Sequence, residues 1–404
     1  MKLITYLSLL LVVLFFTSSV FSQVNVKGWW QSNLYIWENA SENQQYDFYQ
    51  GLQFRVAPQN NPDLYFNTFL RVAYQGDPAD WEERIYNLYL NWNINQNYRF
   101  RIGRQFLYWG VINGTMDAVQ FSGRFLPKLQ FHGVIGLDAP FDRALEVRDW
   151  DKGNLMGGYL SYQLPGRNSI EVSYFQKQRE SELYWQQIGT TILGFLNNRL
   201  NYYLRLDYNL LSKDYQTLRG RLTYYIDRWS LSAEYNSQRP RIYEDSFFSI
   251  FKVNSHNQIR GSVNYRLNDY DFGVHLLHTV YDVHEVYILF KDNNDLRFVG
   301  SVSHRKYGSF GLIAQTGTGG ENIGYFANLH YEFLPGLTAK FYNSYYNYER
   351  ATTNISQDAL AFMAGLGYRL KKRLILEGEL QQSSNNLYKN DLRGLVRLTY
   401  LFNI

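Results

Sequence analysis

The residues of this sequence that are best suited to chemistry are arginines, which recur at alternate positions within short segments. Arg99 and Arg101 form one such pair, and Arg219 and Arg221 form another. In an extended strand, residues i and i+2 point to the same face, so each pair presents two guanidinium groups side by side. A guanidinium group binds carboxylate or phosphate through two parallel hydrogen bonds, and rings of arginine favour the passage of anions. The pattern therefore predicts recognition of anions.

In the segments where alternation of apolar and polar residues assigns each residue to a face, the polar face carries fifteen basic and seven acidic residues. This excess favours an electropositive path through the molecule. The alternative is that the arginines pair with the acidic residues and with tyrosines, and so make the wall rigid. We expect ten arginines to line an aqueous lumen: Arg55, Arg71, Arg99, Arg101, Arg205, Arg219, Arg221, Arg260, Arg266 and Arg397.

Patterns for catalysis or metal binding are weak in comparison. His275 and His278 are three residues apart, which puts them on opposite faces of a strand. His278 and His284 share a face but lie roughly 20 Å apart in an extended chain. The sequence has no Gly-x-Ser-x-Gly, His-Glu-x-x-His or phosphate-binding glycine loop. We predict no catalytic residue, no metal site and no cofactor.

Strict alternation of apolar and polar residues identifies the elements that carry these arginines as β-strands. From residue 200 to residue 210 every even position is Leu or Tyr, while Arg205 and Asp207 occupy odd positions. The apolar face carries almost no charge, apart from Arg84 and Arg104 at strand ends. A charge that faces lipid at the midplane costs roughly 2–4 kcal/mol, so the arginine side should face water. We expect an all-β fold, a single transmembrane antiparallel β-barrel with up-and-down topology and about 16–20 strands.

Connections of two lengths alternate along the chain. The short ones are residues 165–168, 197–198, 227–228, 268–269, 335–336 and 371–372, and the longer polar ones are residues 38–45, 76–83, 239–255, 347–357 and 383–390. Short turns at one end and long loops at the other are typical of outer-membrane barrels. The alternation of residues 270–280 continues with the same faces in residues 284–290. The two segments therefore form either two strands or one long strand.

Segment 103–149 breaks the alternation. It is longer than a connection requires, and loops of this length are usually functional. Its six glycines and many aromatic residues favour packed order. We expect it to fold into the barrel as a constriction loop, and the alternative is a cap packed on the rim. The charged residues available at the narrow point are Asp117, Arg124, Asp138, Asp142 and Arg143.

The N-terminus has the features of an export signal. Lys2 precedes a run from Leu3 to Phe16 that is apolar apart from Thr5, Tyr6 and Ser8. Val20 and Ser22 suit positions −3 and −1 of a signal peptidase site. Residues 1–22 are therefore predicted to be a signal peptide, and residues 23–404 a single barrel. The apolar run is shorter than the ~18 residues that a spanning helix needs. Because the chain has no Cys, it forms no disulfide and carries no lipid on a cysteine.

Composition agrees with a barrel. Aromatic residues make up 18% of the chain, yet the mean hydropathy is −0.39. The two values are compatible because apolar lipid-facing residues alternate with polar water-facing ones in a membrane barrel, so that their hydropathies average out along the chain. A soluble β-sandwich is the alternative, but its compact core would not suit the 36 tyrosines. The net charge of +4 does not indicate a nucleic-acid partner.

Two segments carry a resemblance to known families. The stretch Gly103-Arg104-Gln105 and the Asp-containing segment after it are similar to porin-like families, including the alginate-export type, whose lumen is lined by arginine. The last strand resembles the C-terminal signature of bacterial outer-membrane proteins, although it ends in Ile404 rather than Phe; its apolar face comprises Val396, Leu398, Tyr400, Phe402 and Ile404.

The resemblance implies a place in the outer membrane of a Gram-negative cell, reached after export. The implied partners are outer-membrane lipid and lipopolysaccharide, the barrel-assembly machinery and an anionic solute. The implied activity is passive passage of small anionic solutes or of an anionic polymer. The alternative function is a closed structural or adhesion barrel, or an outer-membrane enzyme, without transport activity. The solute and the oligomeric state stay open.

Overall fold

The computed structural model describes residues 24–38, 43–76, 79–239, 255–282, 293–318, 320–350, 355–386 and 390–404. The expected signal peptide, residues 1–22, lies outside these ranges, as do residues 284–290, one of the two segments that share a phase. Among the described residues, no helix has both the length and the apolar character needed to span a membrane.

The described chain forms one antiparallel sheet of 22 strands. The strands are β1 Val24–Glu38, β2 Gln44–Pro58, β3 Leu64–Gly76, β4 Ala79–Asn93, β5 Tyr98–Trp109, β6 Ile112–Leu126, β7 Leu129–Asp138, β8 Asn154–Leu164, β9 Asn168–Arg179, β10 Glu182–Phe195, β11 Leu200–Asn209, β12 Asp214–Ile226, β13 Trp229–Gln238, β14 His256–Leu267, β15 Tyr270–Tyr281, β16 Asn294–His304, β17 Gly308–Gly317, β18 Gly320–Leu334, β19 Leu337–Arg350, β20 Ser356–Leu370, β21 Leu374–Ser384 and β22 Asp391–Asn403.

The sheet closes on itself because the last strand pairs with the first. β1 and β22 are antiparallel, with Lys27 opposite Asn403 and Ile36 opposite Gly394. Each other strand pairs with its neighbours in the chain, so the topology is up-and-down. An even number of strands lets an up-and-down sheet close in the antiparallel sense. The expected all-β, up-and-down barrel is therefore confirmed.

The strand number exceeds the 16–20 expected from the sequence, mainly because segment 103–149 is not a single loop. β5 continues to Trp109, and β6 and β7 follow before a connection of residues 139–153. Alternation fails in this segment because part of it is covered on both faces, as described below. Residues 76–83 are also mostly strand, since β3 reaches Gly76 and β4 begins at Ala79.

The two faces of the sheet differ sharply in character. Leu204 and Leu206 on β11 are 49% and 44% exposed, whereas Asp207 on the opposite face is 7% exposed. The same alternation of exposed apolar and inward polar residues continues on β12 to β16. Twenty-two strands, spaced about 4.8 Å apart and tilted by about 40°, close at a backbone diameter of roughly 40 Å. Side chains alone do not fill a cylinder of this width.

The connections separate into two sets. At one end, here called the short-turn end, lie all six predicted short turns, and each of them joins two consecutive strands. Asp227, Asn268 and Lys371 in these turns have φ of 48°, 54° and 49°, a left-handed conformation that Asp and Asn tolerate well. The opposite end carries residues 139–153, the longest connection that the structure describes in full.

Candidate functional site: an arginine-lined inner wall and an in-folded hairpin

The end of the β5–β6 hairpin leaves the barrel wall. β4 pairs with β5 only from Leu88 opposite Arg104 to Asn93 opposite Arg99, so β5 beyond Arg104 has left the ladder with β4. The hairpin tip, residues 109–112, instead contacts inward-facing residues of β8 to β11. The hairpin therefore lies against the inner wall and occupies part of the lumen.

Two hydrogen bonds tie the hairpin tip to the wall. The backbone N–H of Val111 donates to Ser173 Oγ on β9, over 3.0 Å. Arg205 on β11 donates from Nη2 to the carbonyl oxygen of Gly110, over 2.9 Å. The same guanidinium group is held by Asp207, at 2.9 Å in the ion pair. Arg205 is thus both a hairpin anchor and a member of the arginine-bearing face.

A small apolar core lies between the hairpin and the wall. Ile112 and Met116 are fully buried, at 0% exposure. Fully burying a side chain of this size contributes roughly 1.5–3 kcal/mol. This core explains why apolar residues occur on the inward face here, in conflict with the pattern of the other strands. Its members are Leu107, Val111, Ile112, Met116 and Ala118 from the hairpin and Val134, Leu155 and Phe175 from β7, β8 and β9.

The wall accepts the hairpin because its residues there are small. A Cβ on Gly189 would lie 2.6 Å from Val111 Cγ1 and 2.8 Å from Asp207 Oδ1. A Cβ on Gly157 would lie 3.0 Å from Ile112 Cδ1. In the tip, Gly110 has φ +54° and faces Ser173 so closely that a Cβ there would overlap with the serine hydroxyl.

The base of the hairpin is held by a buried ion pair that the sequence analysis missed. Arg104 was expected at a strand end on the lipid side, but it is 4% exposed and pairs with Asp117 through two hydrogen bonds of 2.8 Å. Its remaining N–H groups donate to the carbonyl oxygens of Arg143, Ala144 and Glu146. The connection 139–153 therefore covers Arg104. The signal that could have revealed the pair is the opposite charge of Arg104 and Asp117, which face each other once segment 103–118 is drawn as a hairpin.

The five residues expected at a constriction do not meet at one point. Asp117 belongs to this ion pair, and Arg124 lies exposed at the short-turn end of β6. Asp138 pairs with Lys177 at 2.8 Å and accepts a hydrogen bond from Tyr184. Asp142 is exposed in the connection 139–153, and Arg143 in the same connection stacks over Tyr86, 4.4 Å from the ring centroid.

Five arginines on the inner face of β11 to β16 form a continuous group, here called the arginine patch. Its members are Arg205, Arg219, Arg221, Arg260 and Arg297. Arg205 lies opposite Arg219, and a second row runs across the strands through Arg221, Glu234, Arg260, Leu277 and Arg297. Arg297 was counted among the fifteen basic residues on the polar face in the sequence analysis. It was not among the ten arginines expected to line the lumen.

The members of the patch differ in their partners. Arg205 pairs with Asp207, and Arg219 pairs with Glu234 at 2.8 Å. Arg221, Arg260 and Arg297 are exposed, and none of the three has an ion-pair partner within the ranges that the structure describes. The patch therefore keeps an excess of positive charge on the inner wall.

Four other expected lumen arginines, on β2 to β5, interact mainly with uncharged groups. Arg55, Arg71 and Arg101 stack over Tyr65, Tyr49 and Tyr89, at 3.5, 4.1 and 4.3 Å from the ring centroids. Arg99 donates a hydrogen bond to Ser122. Pairing with tyrosine, which the alternative interpretation expected, thus occurs on this part of the wall.

The last two expected arginines are paired with acidic residues. Arg266 pairs with Asp271 at 2.7 Å, beside the short turn between β14 and β15. Arg397 pairs with Glu377 at 3.3 Å and donates to Asn33 at 2.9 Å. These two residues contribute less free positive charge than the three exposed members of the arginine patch.

A serine and a histidine are also in contact on the inner wall. Ser122 Oγ lies 2.8 Å from His132 Nδ1 and accepts hydrogen bonds from Gln120 and Arg99. The His132 ring otherwise packs on Trp109 and Tyr159, and no carboxylate among the described residues orients it. The described residues also contain no group of three or more His, Cys, Asp or Glu able to hold a metal ion.

Comparisons with known proteins bear on the fold alone. No protein-family model and no curated protein matches the chain. The P pilus usher translocation pore is 8% identical, with 94% of this chain and 100% of that chain covered and a TM-score of 0.52. OccAB3 of Acinetobacter baumannii is 11% identical, with 95% and 100% covered and a TM-score of 0.47. The outer membrane protein OpdK of Pseudomonas aeruginosa is 10% identical, with 95% and 99% covered and a TM-score of 0.45.

Proposed function

We propose that the chain is an outer-membrane channel through which anions pass passively. The sheet closes through β1 and β22 and presents an apolar outer face, as lipid requires. Its inner face is polar, and a cylinder of roughly 40 Å across is too wide for side chains to fill. A membrane-spanning, water-containing barrel is the arrangement that accommodates both faces.

The observation that carries the anion preference is the arginine patch. The carboxylates of Asp207 and Glu234 hold Arg205 and Arg219. The other three arginines of the patch are exposed. Fixed positive charges on the wall of a pore raise the local concentration of anions and lower that of cations.

The in-folded hairpin supports a path that narrows beside the arginine patch. The hairpin covers the inner faces of β8 to β10 and reaches Arg205, the first member of the patch. A solute that passes the hairpin tip therefore moves along β11 to β16, within reach of the arginines. This arrangement supports a constriction formed by a docked hairpin rather than by a loop.

Reversal potentials in planar bilayers under a KCl gradient test the proposal. We expect the parent protein to prefer chloride over potassium. The triple variant Arg221→Glu, Arg260→Glu, Arg297→Glu should shift the reversal potential toward cation preference, because it replaces three positive charges in the lumen by three negative ones. The matched control is Arg167→Glu, Arg228→Glu, Arg305→Glu, which makes the same change of charge at exposed turn residues of the short-turn end.

Two results would contradict the proposal. A parent protein that folds and inserts but conducts no ions indicates the closed structural or adhesion barrel instead. A reversal potential that favours cations, or that shifts equally in the triple variant and in its control, removes the arginine patch as the source of selectivity.

A further inference from the structure

A groove on the inner wall lies between two of the exposed arginines. Arg260 on β14 and Arg297 on β16 both lie opposite Leu277 on the intervening strand β15. In the neighbouring row, His275 lies opposite Val299. These five residues line a groove of about 270 Å³.

The ends of the groove are positively charged and its floor is apolar. Leu277 and Val299 are partly buried, and they are apolar residues on a face that is otherwise mostly polar on these strands. The two guanidinium groups flank Leu277, and the imidazole of His275 adds a hydrogen-bonding group beside them. A wall that only repels cations would need no apolar floor between its charges.

The neighbouring carboxylates have other partners. Glu234, which lies opposite Arg260 on β13, accepts a hydrogen bond from Arg219 at 2.8 Å. Asp295, two residues from Arg297 on the same face, accepts from the Tyr281 hydroxyl at 2.8 Å and from the Thr318 N–H at 2.7 Å. Among the described residues, no carboxylate lines the groove itself. Both arginines are therefore available to an anion.

The distance between the two arginines sets the size of the ligand. They are separated by two strand spacings, which corresponds to about 10 Å at the backbone. Inward-pointing side chains converge in a barrel, so the guanidinium groups lie roughly 7–10 Å apart. A ligand that contacts both must carry two negative groups at this separation.

We propose that the groove binds a small dianion, in which two carboxylate-like groups are joined by an apolar linker. Each negative group pairs with one guanidinium group, and the linker lies over Leu277 and Val299. The inference rests on the proposed function, which it refines from anions in general to a doubly charged anion with an apolar middle. A monoanion contacts one arginine at a time, and a compact dianion does not span both.

Equilibrium binding to the detergent-solubilised full chain tests the inference without requiring conductance. The probes are a series of straight-chain α,ω-dicarboxylates of increasing length and the monocarboxylate of matching chain length, measured by calorimetry. We expect the affinity to peak at the dicarboxylate that spans the two arginines. It should exceed that of the monocarboxylate by about tenfold or more, because only the dicarboxylate makes a second charge-assisted contact.

The variants Arg260→Gln and Leu277→Asn separate the two parts of the site. Arg260→Gln should remove the preference for the dicarboxylate over the monocarboxylate. Leu277→Asn should weaken the long dicarboxylate more than the monocarboxylate. The control is Arg228→Gln in the turn between β12 and β13, which should bind like the parent.

The outcomes distinguish this inference from the proposed function. Equal affinity for mono- and dicarboxylates, or a dicarboxylate preference that survives Arg260→Gln, overturns the dianion groove and leaves an anion-selective reversal potential unaffected. A length-dependent preference that Arg260→Gln removes supports the groove, even if the reversal potential shows no anion selectivity.

Discussion

The docked hairpin makes the sharpest quantitative prediction. Ile112 is fully buried between the hairpin and the wall, and a Cβ on Gly157 of β8 would touch it. Truncating a buried Ile to Ala costs about 2–5 kcal/mol, because the apolar contacts are lost and a cavity remains. Ile112→Ala should therefore destabilise the docked hairpin by an amount in this range.

The consequence is a large change in local opening. Each 1.4 kcal/mol changes an equilibrium constant tenfold, so a loss of about 2 kcal/mol or more raises the undocked population by about 30-fold or more. A buried cysteine reacts with a thiol reagent at a rate proportional to the population of the open state. The chain has no cysteine of its own, so a single engineered cysteine reports without background.

The assay places this cysteine at the hairpin tip. Val111→Cys changes a 5% exposed side chain to one of similar size, and its labelling is measured with and without Ile112→Ala. We expect labelling to be at least about 30-fold faster in the double variant. Ile135→Ala is the matched control, since Ile135 is 49% exposed on the outer face of β7 and should leave the rate unchanged.

Two results would refute the docked hairpin. The first is equal labelling of the Val111→Cys reporter when it is combined with Ile112→Ala and with Ile135→Ala. The second is a reporter at position 111 that already reacts, without either substitution, as fast as a cysteine introduced at the exposed position Asn113. Either result would show that the tip is open in solution, and would remove the constriction from the proposed channel.

Two further predictions concern the base of the hairpin and its seat on the wall. Arg104→Ala leaves Asp117, which is 11% exposed, without its partner and should lower the free energy of unfolding in urea by about 3–5 kcal/mol. Arg84→Ala, whose partner Glu82 is 37% exposed, should lower it by under about 1 kcal/mol. Similar losses would contradict a structural role for the Arg104–Asp117 pair. Gly189→Ala should speed labelling of the Val111→Cys reporter, because the new Cβ meets the side chain at position 111. The control Gly261→Ala should leave the labelling rate unchanged, because a Cβ there meets nothing within 4 Å. Equal labelling rates in the two variants would contradict the close approach of the hairpin tip to Gly189.

The arginine-bearing face of each strand follows from local geometry. Arg219 and Arg221 share a face in any extended segment, because side chains alternate with period two regardless of what surrounds the strand. The register then places them beside Arg205 and Glu234, which no local rule determines. Exposure and pairing, which separate Arg221 from Arg219, depend on those neighbours.

In the hairpin, alternation of apolar and polar residues does not identify the strands. From Leu107 to Met116 the buried face of the hairpin is apolar, because it packs on β7, β8 and β9 instead of facing water. A pattern that is apolar on both faces cannot be told from a loop or a buried segment by periodicity alone. The expectation of one long loop was therefore wrong for β6 and β7, which are strands, and the constriction itself stays a prediction.

A series of antiparallel strands, each with one apolar and one polar face, could be predicted from the residues alone, since alternation and turn residues act over a few neighbouring positions. Three features required the folded barrel: its closure with 22 strands, the docking of the hairpin through Gly110, Ser173 and Arg205, and the row that joins Arg260 to Arg297 across Leu277. Each of these features brings together residues that are far apart in the chain, and the closure of the whole barrel determines which of them meet.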